Sequence, residues 1–322
     1  MIDTNNKDKS QKYPTISIII PTHNRRRKLV RLVKSILLSD YPKDKLEIIV
    51  VDDASTDGTY EYIRDKFPWI KVIRNPKERF LSLSRNIGIR CAKGDYIFLI
   101  DDDGIVTPKT LRILVSYMES NPQIGAANPI ILVYKSRYIW TAGVKVDMWT
   151  TRVIPIKCVK HLECDWLSGH AIIVRKEVFR RIGGFSALFP LEREDLDFSL
   201  RVKKAGFKLG ICTNAIVYHD VSPRRFANPH REYFRARSRV LFHLLYSRST
   251  LQKVISLLFS IGISLFYVIE LLINVHNNKI KKCLIIRSIL RGLKDGLQLY
   301  KQIMRVSSKY YMVKGESHAT FK

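Results

Sequence analysis

Residues 96–104 read YIFLIDDDG: five uncharged residues, Tyr96 to Ile100, run into Asp101, Asp102 and Asp103 before Gly104. Such a run suits a parallel strand buried on both faces, whereas three carboxylates in a row need solvent or a counter-ion. The acids therefore belong at the strand's exit. In open α/β sheets ligands bind outside the carboxyl ends of the strands, and oxygen ligands hold hard divalent cations, often together with substrate phosphates. The stretch reads either as a metal-diphosphate site or as a solvated acidic turn.

Outward from it the same unit recurs. ISIII, residues 16–20, is ended by Pro21, and after PTHN the residues Leu29, Leu32, Val33, Ile36 and Leu37 recur at helical spacing. Ile48 to Val51 runs into Asp52 and Asp53, and ASTDGT supplies turn residues before a helix around Tyr60 to Phe67. Lys71 to Ile73 make a third short strand, and Ser82 is placed to cap a helix carrying Arg85, Asn86 and Gly88. Beyond the opening stretch, Thr107 and Pro108 stand in cap and first-turn order ahead of Leu111, Leu114, Val115 and Met118 on one helix face. Strands alternating with helices predict an α/β fold with a doubly wound, mainly parallel sheet. Two of its strand ends carry paired or tripled acids, and like charges raise each other's pKa, so a cation is expected between them.

IIIPTHNR, VDDASTDGT, SRNIGIRCAKGDYIFLIDDDG and EREDLDFSLR, in this order, resemble the family 2, GT-A-fold glycosyltransferases from about Ile16 to about His219. The resemblance implies a metal-dependent enzyme that moves a sugar from a nucleotide diphosphate donor to a hydroxyl acceptor with inversion. It implies that Pro21, Thr22, His23 and Asp53 face the nucleotide and that Arg85 faces the donor. The family's two aspartates separated by one residue match Asp101 and Asp103, with Asp103 as the direct ligand of Mg2+ or Mn2+ and Asp101 reaching the ribose or a bound water. Asp102, between them, is itself acidic, which leaves open which oxygens touch the cation. Such an ion neutralises the departing nucleotide diphosphate.

Residues 126–165 hold short apolar runs, IILVY and VIPI among them, read as extra strands and an acceptor-side loop. WLSGHAIIVRKEVFRRIGGF, from Trp166 to Phe185, resembles the family segment that lines the sugar pocket, so Trp166, Gly169 and His170, with Glu194, are assigned there. Ser186 stands where the family usually has aspartate. LEREDLDFSLRVKKAG reads as a helix with acids in its first turn, where Glu194, Asp195 and Asp197 complement the helix dipole. By the resemblance Asp195 is the general base, since an inverting transfer needs one base opposite the leaving group. His219, closing the run AIVYH, is implied to help hold the cation with Asp103.

The chain has 322 residues, enough for a large domain with an appendage, and 56 Lys plus Arg against 29 Asp plus Glu give it a formal charge of +27. That excess favours an anionic partner. Five scattered cysteines imply no disulfide framework and suit a reducing cytosol; Cys158, His161 and Cys164 could face one metal but lack a fourth clustered ligand. The polar opening residues have no apolar signal core, so no cleaved leader is expected. Residues 1–14 read as a polar tail, 15–222 as the catalytic domain and 223–322 as a basic helical, membrane-associating extension. From Pro223 onward there are 19 Lys plus Arg against 4 Asp plus Glu, and Val254 to Ile269 contains no charge. The apolar segment, 254–275, is about the ~20 residues that span a bilayer. Basic residues flank both ends of it, Arg248 and Lys253 before and Lys279, Lys281 and Lys282 after, which favours in-plane or re-entrant association over one transmembrane helix. Ile286, Leu290, Leu293, Leu297, Tyr300 and Met304 then step along one face of a basic amphipathic helix, suited to an anionic membrane surface.

These features together predict a glycosyltransferase at the cytoplasmic face of the cell membrane, acting on a lipid-linked or cell-surface glycan. A nucleotidyltransferase on a sugar phosphate would share the nucleotide and metal sites. A basic nucleic-acid-binding protein would explain the charge, but no binding module is visible, so no nucleic acid is expected.

Overall fold

The computed structural model describes residues 13–150, 152–157, 164–221, 228–274 and 279–314. Most of the polar amino-terminal tail, as well as Cys158 and His161 of the cysteine-histidine set, lies outside the described residues.

Strand-helix units build the first half: β1 (Ile16–Thr22), α1 (Arg26–Leu37), β2 (Leu46–Asp52), α2 (Thr59–Lys66), β3 (Lys71–Arg74), α3 (Phe80–Cys91) and β4 (Tyr96–Ile100). The four strands lie parallel in the order β3-β2-β1-β4. Their side chains alternate between two apolar layers. Ile16, Ile18, Ile20, Val50, Phe98 and Ile100 pack with Leu29, Leu32 and Ile36 of α1, while Ile19, Ile49, Val51, Ile97 and Leu99 fill the opposite layer. Gly88 lets α3 approach the sheet, since a Cβ there would fall 2.4 Å from Ile19 Cγ2.

The second half is mixed. It adds β5 (Gly104–Val106), α4 (Thr110–Ser120), β6 (Ile124–Val133), β7 (Ile139–Thr141), a β8 (Val144–Val146) and β9 (Val153–Pro155) ribbon, β10 (Ala171–Arg175), α5 (Lys176–Ile182), α6 (Glu194–Lys204) and β11 (Lys208–His219). β10 runs antiparallel between β4 and β6, with Ala171 opposite Ile100, and the Asp101 N–H donates to the His170 carbonyl at 3.0 Å. β11 runs antiparallel to β5, with His219 opposite Gly104. The start of β10 and the end of β11 thus meet the acids at the exit of β4.

Two helix starts differ from the sequence expectation. α3 begins at Phe80, and Ser82 lies within its first turn, donating to the Phe189 carbonyl instead of capping. Asp53 takes the capping role, accepting the backbone N–H groups of Arg79 and Phe80. α4 begins at Thr110, two residues beyond Pro108.

Three helices follow. α7 (Pro229–Tyr246) seats Leu241 and Phe242 against Phe189, Leu196 and Trp166. α9 (Lys279–Lys314) packs on α7 through Ile285, Ile289, Gly292 and Gly296. This face is not the amphipathic one read in the sequence for membrane contact, on which Leu290 and Met304 are exposed. The glycines decide it, because a Cβ at Gly292 would fall 2.3 Å from the Tyr233 carbonyl oxygen. α8 (Thr250–Asn274) is unbroken, so the re-entrant turn expected near 254–275 is absent from the described residues. Its polarity is inverted: Gln252, Ser256, Ser260 and Ser264 are buried while Leu258, Phe259, Phe266 and Ile269 are exposed.

Candidate active site

Asp101, Asp102 and Asp103 leave the sheet between β1, β10 and β11, and each meets a different partner. Asp101 accepts from Arg85 at 2.8 Å. Burial works upward on its carboxyl, but Arg85 and His170 outweigh it and hold it below the usual carboxylate range. Asp102 accepts from the Thr22 hydroxyl at 2.8 Å and from Arg25 at 3.2 Å, and burial nevertheless pushes it up to about 7. Asp103 divides its carboxylate: Oδ2 accepts from Arg25 at 2.9 Å, and Oδ1 faces His170 Nδ1 at 3.6 Å and His219 Nε2 at 3.5 Å. Burial opposes its charge, but the two imidazoles and Arg25 hold its pKa far below the ordinary value.

His170, expected in the sugar pocket, therefore stands with the acids. Its ring stacks on His219, centroids 3.8 Å apart, and neither of its nitrogens has a hydrogen-bond partner among the described residues. One ligand atom each from Asp103, His170 and His219 lies within 4.8 Å of the others, a donor set that fits a divalent ion.

The nucleotide-side residues line the adjoining loops. Pro21 and Thr22 are buried and His23 is exposed, with its Nδ1 2.6 Å from the Asp53 carbonyl oxygen. Asn24 ties this loop to the next, accepting from the Thr56 N–H at 2.7 Å. Asp53, expected against the nucleotide, spends its carboxylate on Asn75 Nδ2 and the two N–H groups at the start of α3. Its neighbour Asp52 keeps a buried Oδ1 with no hydrogen-bond partner among the described residues. Asp52 stood out in the sequence only as one of a pair of acids at a strand end, and the only signal for Arg25 and Lys28 was the basic run from Arg25 to Lys28.

Across from the strand ends lies the start of α6. Glu192 and Arg193 precede it with φ of 65° and 70°, a left-handed pair that only surrounding contacts can hold. Those contacts come from α7: Arg231 donates to Glu192 at 2.8 Å, Ser238 to the Leu191 carbonyl at 3.1 Å and Arg237 to the Leu188 carbonyl at 2.9 Å. Asp195 accepts the Gly169 N–H at 2.9 Å and the Leu196 N–H at 2.9 Å. Arg85, fully buried, donates to the Gly169 carbonyl at 2.6 Å and lies 3.6 Å from Glu194. Gly169 is thus the crossing point of the site, where a Cβ would fall 3.1 Å from Arg85 Nη1 and 3.2 Å from Asp195 Cβ. Burial raises both acids of the pair, and with Asp195 beside it Glu194 is pushed up to about 8. Trp166 lies in the core beneath α7, with its indole Nε1 lacking a hydrogen-bond partner among the described residues.

The sheet, with acids and imidazoles at its carboxyl edge facing a carboxylate pair on a helix start, has the GT-A fold. The chain belongs to glycosyl transferase family 2, whose model matches residues 17–183. An uncharacterized glycosyltransferase of Haemophilus influenzae is 31% identical over 191 residues, 58% of this chain and 61% of that one. The beta-monoglucosyldiacylglycerol synthase of Synechocystis sp. is 26% identical over 214 residues, 65% of this chain and 44% of that one. The chain thus spans 44% to 61% of the length of these relatives. Among solved structures, the mannosyltransferase PcManGT from Pyrobaculum calidifontis, in complex with GDP-Man and Mn2+, shares the fold with a TM-score of 0.54 at 18% identity. The likeness covers 89% of this chain and 88% of that one.

Proposed function

We propose that the protein transfers a sugar, with inversion, from a nucleoside diphosphate donor to the hydroxyl of a lipid-linked acceptor at the cytoplasmic face of the membrane. The observation that carries the reading is the continuity through Gly169: its N–H binds Asp195, and its carbonyl binds the same Arg85 that holds Asp101. One carboxylate therefore stands beside the group that orders the donor-side acids. Asp195 takes the acceptor's proton as the hydroxyl oxygen bonds to the anomeric carbon and the bond to the diphosphate oxygen breaks, its electron pair leaving with the nucleotide. Pro21, Thr22 and His23 form the wall for the base and ribose, with Asp53 beside them. Arg25 and Lys28 stand where a diphosphate would meet them, beside Asp103. Asp103 and His219 would hold Mg2+ or Mn2+, which when bound neutralises charge on the leaving diphosphate.

The acceptor class is supported by α8. Thr250–Ile273 has a mean hydropathy of 2.2, and its serines face inward while its large apolar side chains face out, the reverse of a helix bathed in water. Arg287, Arg291, Lys294, Lys301 and Arg305 of α9 are exposed beside it, suited to anionic headgroups. One relative is named a beta-monoglucosyldiacylglycerol synthase, which agrees in kind with a lipid product.

The test presents the full chain with UDP-, GDP- and dTDP-sugars, with lipid-linked and soluble acceptors, and identifies the products. Transfer to the lipid-linked acceptor from one donor class is expected. Equal use of soluble acceptors removes the acceptor assignment, and formation of a nucleotide sugar from a sugar phosphate replaces the reaction.

A further inference from the structure

We infer that Arg193 and Arg239, together with His243, form a pocket for a phosphate group carried by the acceptor between its lipid and its sugar. The inference rests on the transferase reading above and narrows its acceptor to one linked to the lipid through phosphate.

The pocket is built on one face of α7. Glu232, Arg235, Arg239 and His243 recur at spacings of three and four, so they form a single stripe along that helix. The stripe is turned inward: Glu232 and His243 are buried, and Arg235 and Arg239 are partly buried. Its amino-terminal end is balanced, because Arg235 donates to Glu232 at 2.7 Å and Arg231 donates to Glu192 at 2.8 Å. Its carboxyl-terminal end is not. Among the described residues the Arg239 guanidinium has no hydrogen bond or ion pair, and the Arg193 guanidinium has only the face of Trp166, 5.9 Å from the ring centroid. His243 is 1% exposed, and neither of its ring nitrogens has a hydrogen-bond partner among the described residues; the same holds for Nε1 of Trp166. Buried polar groups left in that state are costly.

These groups share one electrostatic neighbourhood. Burial lowers the Arg239 pKa to about 10, and Arg193 and Arg235 push it the same way. Burial also keeps His243 neutral, its pKa lowered to about 3, with Arg193 and Arg239 adding to the effect and Asp147 opposing it. Asp147 is committed to its own turn, accepting from the Trp149 N–H at 2.8 Å and the Thr150 hydroxyl at 2.7 Å. Two cations that repel each other, with an imidazole and an indole N–H beside them, have in common that an anionic acceptor of hydrogen bonds would satisfy them. Guanidinium groups bind phosphate through paired N–H donors, and both arginines are exposed enough for such a group to reach them. The position of the pocket decides whose phosphate it takes. Arg25 and Lys28 stand on the donor side, at Asp103, whereas Arg193 directly precedes Glu194 and Asp195. Ala236 of α7 packs with Leu271 of α8, so the same helix joins the pocket to the segment whose apolar side chains face out.

Calorimetric titration of the full chain in nonionic micelles with farnesyl diphosphate, farnesol and inorganic diphosphate, without nucleotide sugar or divalent ion, tests this. The wild type is expected to bind farnesyl diphosphate about tenfold or more tightly than farnesol, and Arg239→Gln to lose that preference while Arg239→Lys keeps part of it. UDP and GDP affinities, measured with Mn2+, are expected to match in all three chains. Equal affinity of the wild type for the two lipids, a measurement that needs no variant, overturns the pocket, as does a preference that survives in Arg239→Gln. Inorganic diphosphate that binds as tightly as the lipid and is equally sensitive to Arg239→Gln makes it a site for a free anion and removes the acceptor assignment. Loss of nucleoside diphosphate affinity in Arg239→Gln moves the pocket to the donor and likewise overturns it. If the preference stands but no sugar reaches any lipid-linked acceptor, the transferase reading falls and the phosphate pocket remains.

Discussion

Asp101 and Asp103 at the exit of β4, and Glu194 and Asp195 at the start of α6, are four carboxyls linked through Arg85, Gly169 and His170, yet the first two are held ionised and the second two are pushed toward protonation. Burial acts upward on all four. The difference lies in what faces them. Asp103 meets Arg25 and two imidazoles, and Asp101 takes a direct hydrogen bond from Arg85. Glu194 has Arg85 only at 3.6 Å and an acid as its next neighbour. Where cations are close, the carboxylate is fixed as a charge, suited to holding an ion; where they are not, it is poised to accept a proton.

The sharpest way to break this contrast is Asp195→Asn. If the α6 acid is the base, turnover falls about 10²- to 10⁴-fold while donor and Mn2+ affinities stay at wild-type values. Wild-type turnover would reject the assignment. Next in size is Arg85→Met, which strips the buried cation shared by Asp101 and Glu194. Losing one partner of a buried ion pair costs about 3–5 kcal/mol, read as a lower denaturant midpoint, and an unshifted midpoint would mean that Arg85 does not divide the two clusters. The smallest effect concerns Glu194 and pH. Its carboxyl titrates near 4.5 when unfolded and near 8 when folded, so the native state holds the extra proton between these values. Stability from this group is full below about 4.5 and is lost as pH rises toward 8. Glu194→Gln should flatten that slope, visible as a melting temperature that changes less between pH 5 and pH 8 than in the wild type. An unchanged slope would leave the α6 pair no different from the β4 acids.

The parallel half of the sheet and the two acid clusters were legible in the chain because they are local: apolar runs ending in Asp53 and Asp103, and acids opening an amphipathic helix. What escaped is non-local. That His170 stacks on His219 depends on β10 entering antiparallel, which no spacing between residues 170 and 219 reveals. Asp53 and Asp52 are adjacent and identical in type, and only the course of the chain at Arg79 and Phe80 shows which one is consumed as a cap. On α9 the packed face runs through Gly292 and Gly296, residues with no side chain to register as apolar.

The left-handed pair Glu192 and Arg193 draws its restraint from α7, at the head of the segment that otherwise looks like a detachable anchor. Shortening the protein at His219 to obtain a soluble enzyme would therefore cast loose the turn that aims Asp195, and such a fragment would be expected to bind donor yet idle. Solubility is better sought by recolouring the outward face of α8 with polar side chains, leaving Arg231, Arg237 and Ser238 at their moorings.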